Sequence, residues 1–214
     1  MSSNKIYSNV FKWLCLGLLL SFVTAYFVSL NDVMLYNIYM TGTYWFIIIA
    51  ELILVIVLSA LINKLSYMSA VICYLLYCFV SGLTLSSICY VFDLGSIFVT
   101  FLATSAMFGV MAFIGHKTEK DLTKFGTILL FSLIPIILVS IINIFIGSST
   151  LDFALSIIIV LIFCGVTAYD MQKIKRLSMI GYDEKKLGII GALDLYLDYI
   201  NIFIHLMQLI GKEK

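Results

Sequence analysis

The sequence predicts an all-α integral membrane protein with seven transmembrane helices, and three observations predict it. Of its 214 residues 63% are hydrophobic and 12% charged, with a mean hydropathy of +1.13. No soluble domain of this size hides so much apolar surface. Seven apolar stretches stand near 11–30, 44–62, 70–91, 96–115, 126–147, 151–170 and 188–210. Each is close to the ~20 residues that cross a hydrocarbon core. The basic residues gather between alternate stretches, as they do in a chain threaded back and forth through a bilayer.

The first span follows Lys5 and Lys12. Its apolar run of about 18 residues exceeds a signal core, so it reads as retained. The second span carries one charge, Glu51, roughly 10 Å from its outer end. Only Val91-Phe92-Asp93-Leu94-Gly95 separates the third and fourth spans, which predicts a tight hairpin. The fifth span holds the only proline, Pro135, and a kink is expected there. Gly147-Ser148-Ser149-Thr150 turns the chain into the sixth span, which ends on Ala168-Tyr169-Asp170. Small residues at Ser81-Gly82 and at Gly109 with Gly115 suit close helix packing. The whole chain, 1–214, reads as a single transmembrane domain.

The seventh span carries the chemistry. Gly191, Asp194, Asp198, Asn201, His205 and Gln208 are spaced 3, 4, 3, 4 and 3 apart, so they share one face of a helix. The positions between them are apolar or Tyr. Carboxylates, amides and an imidazole are costly against lipid and belong on an interior or wet face. A polar track along a membrane helix is what an ion or proton path needs.

Orientation follows from charge. Lys5, Lys12, Lys64, Lys117, Lys120, Lys124, Lys173, Lys175, Arg176, Lys185 and Lys186 fall on one side, eleven of the thirteen basic residues. That bias places the N-terminus in the cytosol. Lys212 and Lys214 then lie outside after a full seventh crossing; the alternative is a last segment that re-enters. Cys15, Cys73, Cys78, Cys89 and Cys164 all sit in apolar segments without CxxC spacing and read as small buried hydrophobes. His116, in a basic loop, reads as solvated.

Asp170 closes the sixth span on the cytosolic side, and Asp194 and Asp198 occupy the cytosolic half of the seventh. Consecutive antiparallel spans allow these acids to converge. Two carboxylates in one dry site cannot both ionise cheaply, so such a pair holds one proton. The same oxygens suit a hard cation such as Ca²⁺. Separate solvation, or helix capping, is the plainer alternative for each acid. Glu51 and His205 both lie toward the outer side, where a hydrogen bond between them is one reading.

Phe79-Val80-Ser81-Gly82-Leu83-Thr84-Leu85 resembles a span-3 motif of the Bax inhibitor-1 family, the transmembrane Bax inhibitor motif proteins. Lys117 to Asp121 and Leu122 resemble its loop between spans 4 and 5. Tyr169-Asp170 with Gln172, Lys173 and Ile174 looks like its span-6 ending. Ala192-Leu193 and Leu195-Tyr196-Leu197-Asp198-Tyr199-Ile200-Asn201 look like its span-7 signature, the most specific of the four. The resemblance implies a bundle with the last helix central and surrounded by the other six. It implies a pH-sensitive calcium leak gated by a proton-sharing aspartate pair, here Asp170 and Asp198. It places Glu51 at an acidic position of the second span, lining the path with Asn201 and His205. Bacterial relatives can latch the span-6 aspartate with an arginine cluster at the end of span 2. Here Leu61-Ile62-Asn63-Lys64 offers only Lys64, and lysine lacks the planar fork of arginine. Asp194, where relatives often have a small polar residue, adds negative charge one turn from Asp198 and is expected to raise the gating pKa.

No enzyme chemistry stands out. An intramembrane aspartyl protease such as presenilin needs Gly-x-Gly-Asp, whereas the chain reads Gly191-Ala192-Leu193-Asp194 and lacks a Pro-Ala-Leu motif. The seventh span has no lysine for a retinal Schiff base, and no nucleophile–base pair, zinc spacing or phosphate loop is visible. The remaining alternatives are a non-transporting regulator of other membrane proteins and a proton-coupled cation exchanger. The expected setting is a bacterial inner membrane. The lipid bilayer, calcium ions and, on the regulator reading, other membrane proteins are the partners; no cofactor is expected, Ca²⁺ entering only as a bound or transported ion. Basic residues confined to short loops give no footprint for nucleic acid.

Overall fold

Long apolar runs in lipid must satisfy their own backbone groups, and helices do so within one segment. The computed structural model, which describes residues 3–214, is accordingly helical. The helices are α1 (Ser3–Ser29), α2 (Asp32–Met40), α3 (Thr43–Leu61), α4 (Tyr67–Val91), α5 (Leu94–Lys117), α6 (Thr123–Ile146), α7 (Ser149–Met179) and α8 (Glu184–Ile210). All but α2 are long and apolar enough to cross a membrane, seven among the described residues. The expected spans match them, with three differences. The short helix α2 was not foreseen. Helix α1 starts eight residues before the apolar stretch, and α7 runs nine residues beyond the sixth. At a rise of ~1.5 Å per residue, 31 residues make α7 about 46 Å long, against a hydrocarbon core of about 30 Å. Its last turns therefore stand clear of the membrane interior.

Local chemistry sets the ends. The Asn31 side chain accepts from the Met34 amide and caps α2, and Ser66 caps α4 through the Ser69 amide. Gly147 ends α6 in the left-handed region at φ 68°. Asn143 then closes the α6–α7 turn. Its amide donates to the Ser148 carbonyl at 3.1 Å and to Asp152 Oδ1 at 2.5 Å. Helix α6 continues through Pro135, on an exposed face, so the proline is housed within one helix rather than between two.

The chain groups into two compact units. The first comprises Met1–Asp93, Leu177–Tyr196 and Glu213–Lys214; the second comprises Leu94–Arg176 and Leu197–Lys212. In the first unit α1 packs along α4. Gly82 permits it: a Cβ there would stand 2.7 Å from the Ser21 carbonyl oxygen. Ser21 hydroxyl bonds reach the Cys78 carbonyl at 2.7 Å and Tyr196 Oη at 2.6 Å. In the second unit Val160, Cys164 and Ile202 form a buried cluster with Met107 and Met111, joining α7, α8 and α5. Gly115 lets α5 meet α7 at Ala168, whereas Gly109 faces open space, so of the three expected packing glycines Gly82 and Gly115 pack and Gly109 does not.

Helix α8 contributes to both units, and most of its apolar side chains are buried. Leu193, Leu195, Tyr196, Ile202 and Met207 are all fully buried. Buried residues make up 72% of an apolar 18-residue stretch of α8, against 6% of the corresponding stretch of α6. It also runs from end to end. Where it begins, Tyr182 and Lys186 bond Asn63 of the α3–α4 turn. Where it finishes, the Lys212 amide bonds Ser96 Oγ and the Lys214 amide bonds the Val91 carbonyl, both at the α4–α5 turn. With 27 residues, α8 is long and apolar enough to cross a membrane.

Candidate functional site

The stripe of α8 divides between the units. Asp194 lies half-buried in the first, with Glu51 and Lys64; Asp198, Asn201, His205 and Gln208 lie in the second, with Asp170. The second unit holds the two deeply buried acids of the chain, Asp170 (7% exposed) and Asp198 (2%). Asp198 is at mid-helix, roughly 20 Å from either end of α8. Its neighbours in sequence are apolar or aromatic, so the protein dielectric rather than water surrounds it.

Side-chain contacts set the register of α7 against α8. Ser156 Oγ lies 3.2 Å from His205 Nδ1 and donates to Gln208 Oε1 at 2.7 Å, and Cys164 packs with Ile202. Extending this antiparallel register to Asp170 places Asp198 roughly 3–10 Å farther along the axis. The two acids thus sit on helices that pack together within one unit, offset along the axis by half a turn to about two turns.

The cation beside Asp170 is Lys173, one turn along α7, with Nζ 3.9 Å from Asp170 Oδ1. The family's latch position falls on Lys64, in the first unit. That residue is exposed on the α3–α4 turn, and among the described residues no ion pair involves it. The signal for Lys173 was its i,i+3 spacing from Asp170. An unpaired buried carboxylate is far costlier than a paired one, so Lys173 is part of what keeps Asp170 tolerable inside.

The protruding end of α7 clamps the α5–α6 loop. Gln172 accepts from the Leu122 amide and donates to the Lys120 carbonyl, both at 2.8 Å. Lys175 donates to the His116 carbonyl at 3.0 Å. Arg176 reaches Asp121 at 3.4 Å and also bonds Thr123. The Thr123 hydroxyl and amide, then the Arg176 charge, hold the Asp121 carboxyl below the usual carboxylate range. Gln172→Leu removes both amide bonds and leaves the loop backbone without partners. We expect hydrogen exchange at the Leu122 amide to accelerate about tenfold, equivalent to one to two hydrogen bonds, as read by mass spectrometry.

The outer residues have their own partners. Within the first unit Glu51 accepts from Thr84 Oγ1 at 3.2 Å, and within the second His205 bonds Ser156 and Gln208. Asn201 donates back to the Leu197 carbonyl of its own helix at 2.7 Å. The sequence had shown no nucleophile–base pair, yet Ser156 and His205 meet. Gln208 Oε1 accepts from the serine hydroxyl and lies 3.1 Å from His205 Nδ1. The serine proton is thus directed to Gln208 rather than to Nδ1. Among the described residues no three His, Cys, Asp or Glu side chains converge as metal ligands.

The comparisons agree with this architecture. The family model described as "Inhibitor of apoptosis-promoting Bax1" matches residues 3–214. The inner membrane protein YbhL of Escherichia coli K12 is 40% identical over 214 residues, covering 97% of this chain and 91% of its own. A protein of Borreliella burgdorferi is 37% identical over 216 residues, covering 99% and 93%. Another, RP147 of Rickettsia prowazekii, is 34% identical over 209 residues, covering 96% and 89%. With seven apolar spans, an end-to-end last helix and a match over nearly its whole length, the chain belongs to the Bax inhibitor-1 family.

Proposed function

We propose that the protein is a pH-sensitive calcium leak of the bacterial inner membrane, gated by Asp170 and Asp198. One observation carries the reading: two buried carboxylates, Asp170 and Asp198, lie on helices that pack together, with Lys173 paired to the first. Buried charge is expensive and is retained where ions or protons pass. The pair shares a proton. Losing that proton increases the negative charge that a cation can neutralise and shifts the population of the α7–α8 contact. Asp194 adds to the local field, and Glu51, Asn201 and His205 line the outer half. The inner-membrane setting of YbhL supports the location, and the clustered basic loops support a cytosolic N-terminus.

A second reading has an observation in its favour. Ser156, His205 and Gln208 bond one another, and Asn201 bonds its own helix, as in a network that holds a bundle together. On that reading the protein regulates other membrane proteins and conducts nothing.

Full-length protein in liposomes loaded with a calcium dye separates the two. Stepping external pH between 6 and 8 is expected to change calcium entry about tenfold, the response of one titrating group over a pH unit or more. Asp198→Asn is expected to abolish that dependence. Absence of flux at every pH supports the regulator. Flux that follows an imposed proton gradient indicates exchange instead of a leak.

A further inference from the structure

We propose that the groove between α2 and the end of α4 binds the headgroup of an aminophospholipid, ammonium first. The groove is a half-open cavity of 440 Å³ within the first unit, lined by Asp32, Tyr36, Tyr39, Met40, Tyr90 and Val91 among others. This volume lies within the range of small-molecule sites, about 300–1,000 Å³. It lies by the last turn of α4, at the far end of that helix from the Lys64 turn, and its tyrosines are of the kind that meet headgroups at a membrane interface.

The walls are fixed before any ligand arrives. Tyr39 Oη bonds the Thr84 carbonyl at 2.9 Å, lies 3.2 Å from Ser86 Oγ and accepts from the Ser87 amide at 3.1 Å. One phenol therefore fastens α2 to α4. The helix itself is capped by Asn31, which sets Asp32 in its first turn. Tyr36 and Tyr90, in contrast, are 63% and 54% exposed, with their rings available.

Charge selects the occupant. Among the described residues no hydrogen bond or ion pair involves the Asp32 carboxylate, which stands at a cavity with three tyrosines. A carboxylate with aromatic faces is complementary to an organic ammonium, attracted by both the charge and the ring quadrupoles. Lys214 Nζ, 2.9 Å from the Cys89 carbonyl beside the Tyr90–Val91 wall, offers a cation at the same end for a phosphate. Negative and positive groups on one rim match a zwitterion. Met40 and Val91, both exposed, give its hydrocarbon an apolar exit toward the bilayer. Helix α2 is thereby assigned a use that the aspartate pair does not provide, and the site stands whether or not the protein conducts.

Native mass spectrometry of the full chain in detergent tests this. Phosphatidylethanolamine and phosphatidylglycerol of identical acyl chains are added, alone and with soluble phosphoethanolamine. One phosphatidylethanolamine adduct is expected to survive where phosphatidylglycerol is lost. Asp32→Asn with Tyr36→Leu should reduce its retention about fivefold, the loss of one carboxylate and one aromatic contact. Both positions are exposed, and an unchanged melting temperature without lipid confirms folding; Asp32→Asn alone, expected to lose about twofold, serves if the double variant melts early. Equal retention of both lipids, or full retention by the variant, overturns the proposal. Displacement by equimolar phosphoethanolamine overturns the lipid as the source and leaves a soluble headgroup site.

Discussion

Gly115→Ala is expected to destabilise the protein by about 3 kcal/mol, the upper part of the range for overpacking. A Cβ at residue 115 would lie 2.1 Å from the Ala168 carbonyl oxygen and 2.7 Å from its carbonyl carbon and Cα. These atoms are backbone of α7, which cannot rotate away as a side chain does. The two helices must separate, and the dispersion contacts along their seam fall off with them. Ala168 precedes Asp170 by two residues, so the shift is delivered to the candidate gate. Gly109→Ala is the control on the same helix. Nothing lies within 4 Å of its added Cβ, and alanine favours a helix over glycine by about 1 kcal/mol. Thermal unfolding in detergent should show G115A melting well below the wild type and G109A at or above it. Equal melting temperatures would mean that α5 and α7 do not approach at Ala168.

The same two glycines show what a sequence can and cannot carry. Both are small residues on one apolar helix, and nothing local separates them; the difference lies on the partner helix. Hydropathy placed the seven spans because lipid rewards every apolar residue alike, wherever it points. It passed over α2, although the Asn31 cap was present to be read. The last turns of α7 were missed for another reason. Their polar side chains look like loop in sequence, and they are helical while bonding the α5–α6 loop. The stripe on α8 was legible because its period is that of the helix. Its partners were not: Ser156 and Lys173 belong to α7, and only packing or a turn of that helix brings them to His205 and Asp170.

Asp170→Asn and Asp198→Asn should be non-additive in calcium flux. A proton shared between two carboxylates belongs to the pair. Converting either acid to an amide removes the shared state, and converting the second then has little left to remove. Each single variant is expected to lose the pH response and to lower flux at the permissive pH about tenfold, some 1.4 kcal/mol. The double variant should lie within about twofold of either single, giving an interaction energy near that same value, well inside the 0.5–3 kcal/mol seen for coupled residues. Two independent acids would give about a hundredfold loss in the double, because separate effects multiply. Asparagine keeps the shape of aspartate and most of its hydrogen bonding, so the loss reports charge rather than packing. Lys173→Met completes the design. Lys173 is the ion-pair partner of Asp170 and lies on its own helix, so its removal should displace the pH response along the axis without flattening it. A cycle in which the losses multiply would leave two separate buried carboxylates and no common gate.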